Sequence, residues 1–187
     1  MLKNLFNKLQ SQVELVGLDI GTASVKLVRL LKGPDGYTVT VAVKEDIEAN
    51  EEGEKDAHVP IVRAVKNCLK RARLDGPDVV CGISGSEVVV RGFEFPPLPD
   101  AAIEQAVRME AQQVCPFDSK QMVLDYQLIE NPEVTSEQKA VKIFPRRGVM
   151  VACTENVIRE KTKVLTEAGA KPLLIDSNAL GVLNCLN

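Results

Sequence analysis

A tight turn between two apolar segments constrains the fold of this chain more than any other feature of its sequence. Val13–Asp19 is almost entirely apolar, which predicts a buried strand, and Val25–Leu31 alternates as a second strand would. The short sequence Gly21–Ser24 between them predicts the turn, and a second turn at Gly33–Gly36 leads into a third strand over Tyr37–Val43. The chain is therefore predicted to open with antiparallel strands joined by short turns.

The first of these turns has the chemistry of an anion-binding loop. Gly21 lets a phosphate approach the backbone closely, and successive N–H groups of such a turn form a concavity for an anion. Asp19 ends the strand, where its carboxylate can hold the water shell of Mg²⁺. The candidate nucleotide-phosphate residues are Asp19, Gly21, Thr22, Ala23, Ser24 and Lys26. The alternative is a purely structural hairpin, since Gly and Asp are common in tight turns. A P-loop is excluded, because it requires GxxxxGK[ST] entering a helix.

The rest of the chain alternates helical and strand periodicities, which indicates an α/β fold. The predicted helices cover 59–73, 101–114, 155–168 and 177–186, and the predicted strands cover 79–83, 88–95, 123–129, 141–144, 149–153 and 172–176. Asp100, Thr154 and Ser177 are expected N-caps, and Gly169 is an expected left-handed C-cap. A turn is predicted over 145–148, and solvated loops over 45–56 and 131–140.

Composition excludes several classes of protein. With 23 basic and 26 acidic side chains the net charge is only −3, so no general attraction to nucleic acid follows. No segment approaches the ~20 apolar residues of a membrane span, which favours a cytoplasmic protein. The N-terminal segment 1–12 is amphipathic, and a frayed terminal helix, or one that docks on its own or a partner's surface, is preferred there over a membrane-surface anchor.

The cysteines indicate a reducing compartment. Their number is odd and no two are close in sequence, so neither a metal knuckle nor a redox pair is predicted. We interpret them as buried thiols of the core: Cys68, Cys81, Cys115, Cys153 and Cys185.

Catalytic chemistry finds little support in the sequence. His58 is the single histidine and lies beside an acidic loop, so solvent exposure is expected rather than a role as base or metal ligand. Glu110 and Asp125 are interpreted as structural, because nothing in their spacing brings them together. Arg146 and Arg147 are placed in a solvated turn, which is preferred over contact with an acidic partner or lipid headgroups. We therefore assign no catalytic residue.

Several short segments, taken in order, resemble one family. They are Gly17–Leu27, Gly82–Gly85 with Val88–Arg91, Phe95–Pro99, Arg108–Gln112, Cys115–Phe117 with Val123–Gln127, and Ala168–Pro172 with Ile175–Asp176. Together they are similar to the PilM family of type IV pilus assembly proteins, which is related to the cell-division protein FtsA within the actin-like ATPase superfamily. The Pro-Phe pair followed by Leu-Asp-Tyr-Gln is more diagnostic than the Asp-x-Gly-Thr shared with sugar kinases and chaperones.

The resemblance implies an actin-like (ribonuclease H-like) α/β fold, in which subdomain 1A is interrupted by a small α/β subdomain 1C. The expected bounds are 1–12 for the amphipathic N-terminal segment, 13–83 for the first part of 1A, 84–160 for 1C, and 161–187 for the return to 1A with a truncated interdomain helix. Self-association through 1C is a further expectation drawn from the superfamily.

The resemblance also implies a partner. Members hold the cytoplasmic N-terminal peptide of the inner-membrane protein PilN in a groove between these subdomains, which would place the chain at the cytoplasmic face of the bacterial inner membrane. Our candidate residues for one wall of that groove are Val90, Phe93, Met109 and Gln113. The leading hypothesis is therefore an adaptor that recruits a PilN-like tail.

Two alternatives remain open at this stage. One is the nucleotide-binding half of an actin-like ATPase or kinase-like enzyme, and the other is a type II secretion or cell-division paralogue. Family members are about twice as long, and their second half, about one further domain, carries a second phosphate loop and the adenosine contact. We expect this chain, either a fragment or a shortened homologue, to bind ATP and Mg²⁺ weakly by itself, because one phosphate loop lacks the opposing wall.

Overall fold

The chain forms two units, each built on its own β-sheet. The structure, a computed structural model, describes residues 14–48, 58–129 and 143–185. Unit 1 comprises Met1–Ile83 and Glu160–Gly181, and unit 2 comprises Ser84–Arg159 and Val182–Asn187. The α/β class predicted from the sequence is confirmed, whereas the assignment of subdomain names and bounds stays a prediction. The segments predicted over 1–12 and 131–140 lie outside the described residues.

A five-stranded sheet forms unit 1. Strands β1 (Glu14–Ile20), β2 (Ser24–Gly33) and β3 (Gly36–Asp46) make an antiparallel meander, while β4 (Asp78–Ile83) pairs in parallel with β1. The last strand, β8 (Lys171–Ser177), pairs in parallel with β4, so the order is β3-β2-β1-β4-β8. Because β1, β4 and β8 run in the same direction, their carboxyl ends meet at one edge of the sheet.

Unit 2 contains a three-stranded antiparallel sheet. Its strands are β5 (Val88–Pro99), β6 (Met122–Ile129) and β7 (Ile143–Thr154), in the order β5-β7-β6. A single 3₁₀ turn at Ser119–Gln121 precedes β6. Strands β5 and β6 each pair with β7 and therefore form the two edges of this sheet.

Across residues 14–48, 58–129 and 143–185, four helices accompany the two sheets. They are α1 (His58–Arg71), α2 (Asp100–Val114), α3 (Glu155–Glu167) and α4 (Asn178–Cys185). Within the described part of the chain, no helix is long and apolar enough to cross a membrane.

Each unit has its own hydrophobic core. In unit 1 the apolar stripe of α1, which includes Val65 and Leu69, packs with sheet residues such as Leu18 and Leu27. This confirms the amphipathic helix that the periodicity predicts. The core of unit 2 lies between α2 and one face of the sheet, and it contains Phe93, Ile103, Val107, Ala111 and Met150.

The turn predicted over 145–148 is wrong, because β7 continues through it. Pro145 lacks a backbone N–H and normally interrupts a strand. Here the pairing register of β5 shifts between Phe95 and Leu98, so Arg146 pairs with Phe95 and Phe144 with Leu98 while Pro145 faces the bulge. A proline opposite a bulge removes no ladder hydrogen bond, and the strand can pass without a break.

Arg146 and Asp100 also depart from their predicted roles. Arg146 is buried rather than solvated, and its guanidinium pairs with the Asp100 carboxylate. Asp100 is the first helical residue of α2, whose N-cap Pro99 makes no side-chain capping bond. The Asp100 carboxylate therefore holds the strand β7 instead of capping the helix.

Other helix ends follow the sequence more closely. Gly169 ends α3 with φ +87°, as predicted for a left-handed cap. The N–H of Ala179 donates to Ser177 Oγ at 3.2 Å, which confirms Ser177 as the cap of α4. Thr154 instead donates its hydroxyl to the Glu87 carboxylate at 3.1 Å. The predicted loop over 45–56 starts later than expected, because β3 runs to Asp46.

The thiols are buried at three of their five positions. Cys68, Cys81 and Cys153 lie in the cores, Cys115 is half-buried and Cys185 is exposed. Burial raises the pKa of the Cys68 and Cys81 thiols to about 11. The prediction of core cysteines is therefore confirmed for Cys68, Cys81 and Cys153, and it is wrong for the exposed Cys185.

Candidate functional site

Asp19 stands at the centre of a polar cluster at the carboxyl edge of the unit 1 sheet. It lies at the end of β1, directly opposite Lys26 on β2, and Lys26 Nζ is 3.2 Å from Asp19 Oδ2. The second oxygen, Oδ1, accepts a hydrogen bond from Asn178 Nδ2 at 3.4 Å. The sequence predicted Asp19 and Lys26 as neighbours, but it gave no sign that Asn178, 159 residues away, joins them.

The turn after β1 is closed by its own backbone. The N–H of Gly21 donates to the Ser24 carbonyl at 3.0 Å, and a Cβ at Gly21 would lie only 3.3 Å from that oxygen. The Ala23 carbonyl accepts from the N–H of Ile47 at 2.8 Å, while Thr22 and Ala23 are exposed. The turn therefore presents a short, exposed backbone surface, although the Gly21 amide is already engaged within it.

A second ammonium group lies at the same edge. Lys161 on α3 donates from Nζ to the carbonyl of Ile20 at 3.4 Å, immediately before the turn. Both charges also affect the buried thiol of Cys81. Burial raises the pKa of this thiol most, Lys161 lowers it, and Asp19 raises it. Lys26 and Lys161 thus supply two cationic groups at this edge, and each can donate hydrogen bonds to an anion. Sequence reasoning missed Lys161, since a lysine on an amphipathic helix carries no distinctive signal.

The residues at this edge fit a phosphate better than a directly coordinated metal. Lys26 and Lys161 can each donate to phosphate oxygens, and the exposed turn leaves room for them. Asp19 is the single carboxylate of the cluster, and no group of three or more His, Cys, Asp or Glu side chains exists among the described residues. Magnesium would accordingly be held through water and phosphate oxygens, as this ion commonly is, with Asp19 ordering the water.

The predicted wall residues of unit 2 occupy three different places. Phe93 is 6% exposed and lies in the core beneath α2, where its ring stacks on Phe95 at 5.0 Å. Val90 lies three residues before Phe93 on the same strand. Because side chains alternate along a strand, Val90 points to the opposite face, where it is 38% exposed. Met109, 53% exposed, and Gln113 share the outward face of α2. These four side chains therefore do not form one continuous surface within the unit.

The opposite face of the unit 2 sheet carries a shallow depression of about 590 Å³. We call this the outer sheet face, and it includes Val90, Val149 and Ile129 on three adjacent strands. The residues lining the depression are Gly92, Phe93, Glu94, Ile129, Arg147, Gly148 and Val149. Gly92 leaves the gap because it has no side chain. Strand alternation in the sequence indicated such a face, but the order of the strands decided which residues meet there.

A family model for the type IV pilus assembly protein PilM matches residues 17–185. This chain belongs to the PilM family. The resemblance found in the short segments is thereby confirmed over nearly the whole chain.

Two solved structures are similar to this chain. A PilM–PilN type IV pilus biogenesis complex matches with a TM-score of 0.75 and 25% identity, over 94% of this chain and 50% of that chain. The chain thus spans about half the length of the PilM structure it matches, and the predicted actin-like fold is confirmed. The cytoplasmic domain of EpsL, an inner-membrane component of the type II secretion system of Vibrio cholerae, matches with a TM-score of 0.58 and 11% identity. It covers 90% of this chain and 58% of that one, and it shows the fold alone.

The PilM family match extends across both candidate surfaces. It includes Asp19 and Lys26 in unit 1 and the outer sheet face in unit 2, and it reaches Asn178 at the start of α4.

Proposed function

We propose that this PilM-family chain acts in type IV pilus assembly as an adaptor that holds the N-terminal peptide of a PilN-like membrane protein. The observation that carries the proposal is the structural match to the PilM–PilN complex, which extends over 94% of the chain with a TM-score of 0.75. Recruitment by a membrane-bound partner would bring the chain to the cytoplasmic face of the inner membrane.

Two surfaces of unit 2 are suited to an apolar peptide. The outer sheet face exposes Val90, Val123 and Ile129, of which Ile129 lines the depression, and the outward face of α2 exposes Met109. Strands β5 and β6 are edges of the sheet, so an extended peptide could also pair with their backbones. We favour the outer sheet face, because it combines apolar side chains, a concave floor at Gly92 and an adjacent strand edge.

Calorimetric titration with a synthetic PilN N-terminal peptide from the same organism tests the proposal. We expect saturable binding to the wild-type chain, and a loss of affinity of about tenfold or more in Val90→Glu, since a buried charge would meet the peptide. Met109→Glu is the matched control on the other surface and should bind within about twofold of wild type. The reverse result would move the peptide to α2, and absence of binding at about 100 μM peptide would contradict the adaptor function.

A second candidate function is the binding of a nucleotide phosphate at the edge of unit 1. It is favoured by the two ammonium groups of Lys26 and Lys161 on either side of the exposed turn that follows Asp19. No hydrolysis is proposed, because this edge offers a binding surface without an evident base.

The nucleotide candidate is tested by titrating the chain with ATP and Mg²⁺ while following backbone amide resonances. We expect shifts at residues 21–24 that weaken in Lys26→Met and in Lys161→Met. Lys163→Met is the control, because Lys163 lies on the same helix but pairs with Glu167 at 3.9 Å, away from Asp19. Resonances that do not move in the wild type would leave this segment as a structural hairpin. Running the peptide titration with and without ATP-Mg²⁺ then shows whether the two functions are coupled.

A further inference from the structure

Gly82 has a neighbour that explains why this position of β4 lacks a side chain. It lies on the strand next to β1 and pairs with Asp176 of β8. A Cβ built on Gly82 would overlap Asn178 Oδ1 and lie 2.8 Å from Asn178 Cγ. The carboxamide of Asn178 therefore occupies the space that a side chain at 82 would fill.

Across that space Asn178 reaches Asp19. Asn178 is the first residue of α4, and its backbone position is fixed by the capping bond between Ala179 N–H and Ser177 Oγ. Its Nδ2 donates to Asp19 Oδ1 at 3.4 Å, while Lys26 holds the other oxygen at 3.2 Å. The carboxylate is thus held from two sides by residues of β2 and α4.

This arrangement determines which carboxylate oxygen of Asp19 contacts the Lys26 ammonium group. With one oxygen engaged by a neutral amide, Asp19 meets Lys26 through a single oxygen and keeps its negative charge at the edge of the sheet. Without the amide, the carboxylate is free to turn toward Lys26 and engage it with both oxygens. That geometry would withhold the lysine from a phosphate and the carboxylate from a hydrated cation.

We infer that Asn178 is a positioning residue that orients the Asp19 carboxylate for a phosphate-bound magnesium ion, and that Gly82 is required because it leaves room for the Asn178 amide. The inference rests on the second candidate function for its ligand, an anionic phosphate with Mg²⁺. The positioning itself is a property of the chain alone and can be measured without any ligand.

The first measurement follows the side-chain amide resonances of Asn178 in the ¹⁵N-labelled full chain. We expect them to shift in Asp19→Asn, because the charged acceptor is lost, and to shift in Gly82→Ala, because the amide is displaced. Gly17→Ala is the matched control on the neighbouring strand, since its Cβ would lie 4.0 Å from the Val28 carbonyl, an ordinary contact. If the Asn178 amide resonances shift neither in Asp19→Asn nor in Gly82→Ala, the inference is overturned.

The second measurement is the affinity for ATP-Mg²⁺. We expect a loss of about three- to tenfold in Gly82→Ala and in Asn178→Ala, the range of an ordinary hydrogen bond, because the Asn178–Asp19 bond is long. Gly17→Ala should remain within about twofold. If the wild type binds no ATP-Mg²⁺, the second candidate function fails, while the amide resonances still decide whether Asn178 positions Asp19.

The double variant Gly82→Ala/Asn178→Ala guards against a fold defect. Asn178→Ala removes the atoms that a Cβ at 82 would overlap, so adding Gly82→Ala to it should change the affinity and the thermal midpoint very little. If the effects of the two single substitutions on affinity and thermal midpoint add in the double variant, Gly82 acts through the backbone. That result would overturn the inference that Gly82 acts by leaving room for Asn178.

Discussion

Two aspartate–cation pairs, Lys26 with Asp19 in unit 1 and Arg146 with Asp100 in unit 2, have opposite roles because their surroundings differ. In unit 1 the Lys26 and Asp19 side chains are 57% and 44% exposed. In unit 2 the Arg146 side chain is only 9% exposed, and it also donates to the Leu98 carbonyl at 3.4 Å. Exposed pairs contribute little to stability and exchange partners readily, whereas a buried guanidinium such as that of Arg146 cannot lose its carboxylate without a large penalty.

The glycines of the two units differ in the same way. In unit 2 a Cβ at Gly148 would overlap the Gln127 carbonyl oxygen and lie 2.5 Å from Phe93 Cζ, so backbone and core both forbid it. In unit 1 a Cβ at Gly82 meets only the end of the Asn178 side chain, which can rotate away. Unit 2 is therefore tightly packed at Gly148, whereas the Asn178 side chain at the edge of unit 1 has room to change its rotamer.

The largest expected effect tests the tightness of unit 2. Gly148→Ala should lower the free energy of unfolding of unit 2 by about 4 kcal/mol, because a backbone oxygen on β6 cannot give way. Gly92→Ala, whose Cβ would lie 3.8 Å from the Gly148 carbonyl, is the control and should cost less than about 1 kcal/mol. Native-state hydrogen exchange of β5–β7 amides measures both. Equal hydrogen-exchange protection of these amides in Gly148→Ala and Gly92→Ala would contradict the tight packing of unit 2 around Gly148.

The second prediction concerns the buried pair. Asp100→Ala should cost about 3 kcal/mol, because the buried Arg146 guanidinium loses its carboxylate. Arg146→Met should cost less, since the Asp100 side chain that remains is largely exposed and a methionine fills the apolar path beside Phe144. Denaturant unfolding of the two variants decides the order. A larger loss in Arg146→Met would show that packing, rather than charge, makes the pair necessary.

The third prediction concerns how the stability of unit 1 depends on pH through its buried thiols. The pKa values of Cys68 and Cys81 are raised from 9.0 to about 11, so the unfolded chain loses these protons first as the pH rises. Stability is therefore fully present below about pH 9 and falls between pH 9 and 11, by about 2 kcal/mol for each thiol. Cys81→Ala should show a shallower decline over this range in chemical denaturation. An unchanged slope would mean that Cys81 is not protonated in the folded core at high pH.

The smallest expected effect belongs to the exposed pair. Lys26→Met and Asp19→Asn should each change the free energy of unfolding by less than about 1 kcal/mol, because both side chains are well solvated. Thermal unfolding at low and high salt measures this. A loss of 2 kcal/mol or more in either variant would place the pair among the structural contacts and remove the contrast with Asp100 and Arg146.

The sequence by itself determined the features that depend on neighbours along the chain. The periodicity of α1, the turns at Gly21 and Gly36 and the left-handed end at Gly169 follow from local apolar patterns and from glycine's conformational freedom. Asp19 and Lys26 face each other because they lie seven positions apart on one hairpin, so this half of the site was predictable too. Family membership followed from short segments spread over the chain.

Only the tertiary structure decided the contacts that join distant segments. Asn178 reaches Asp19 across 159 residues, and Lys161 reaches Ile20 across 141, because parallel strands bring their carboxyl ends to one edge of the sheet. Pro145 suggested a turn, yet a bulge on β5 lets the strand continue and buries Arg146 against Asp100. Local patterns set each element's propensity, but burial and pairing geometry arise only when the elements pack, and they decide which polar groups hold the fold and which remain available to bind.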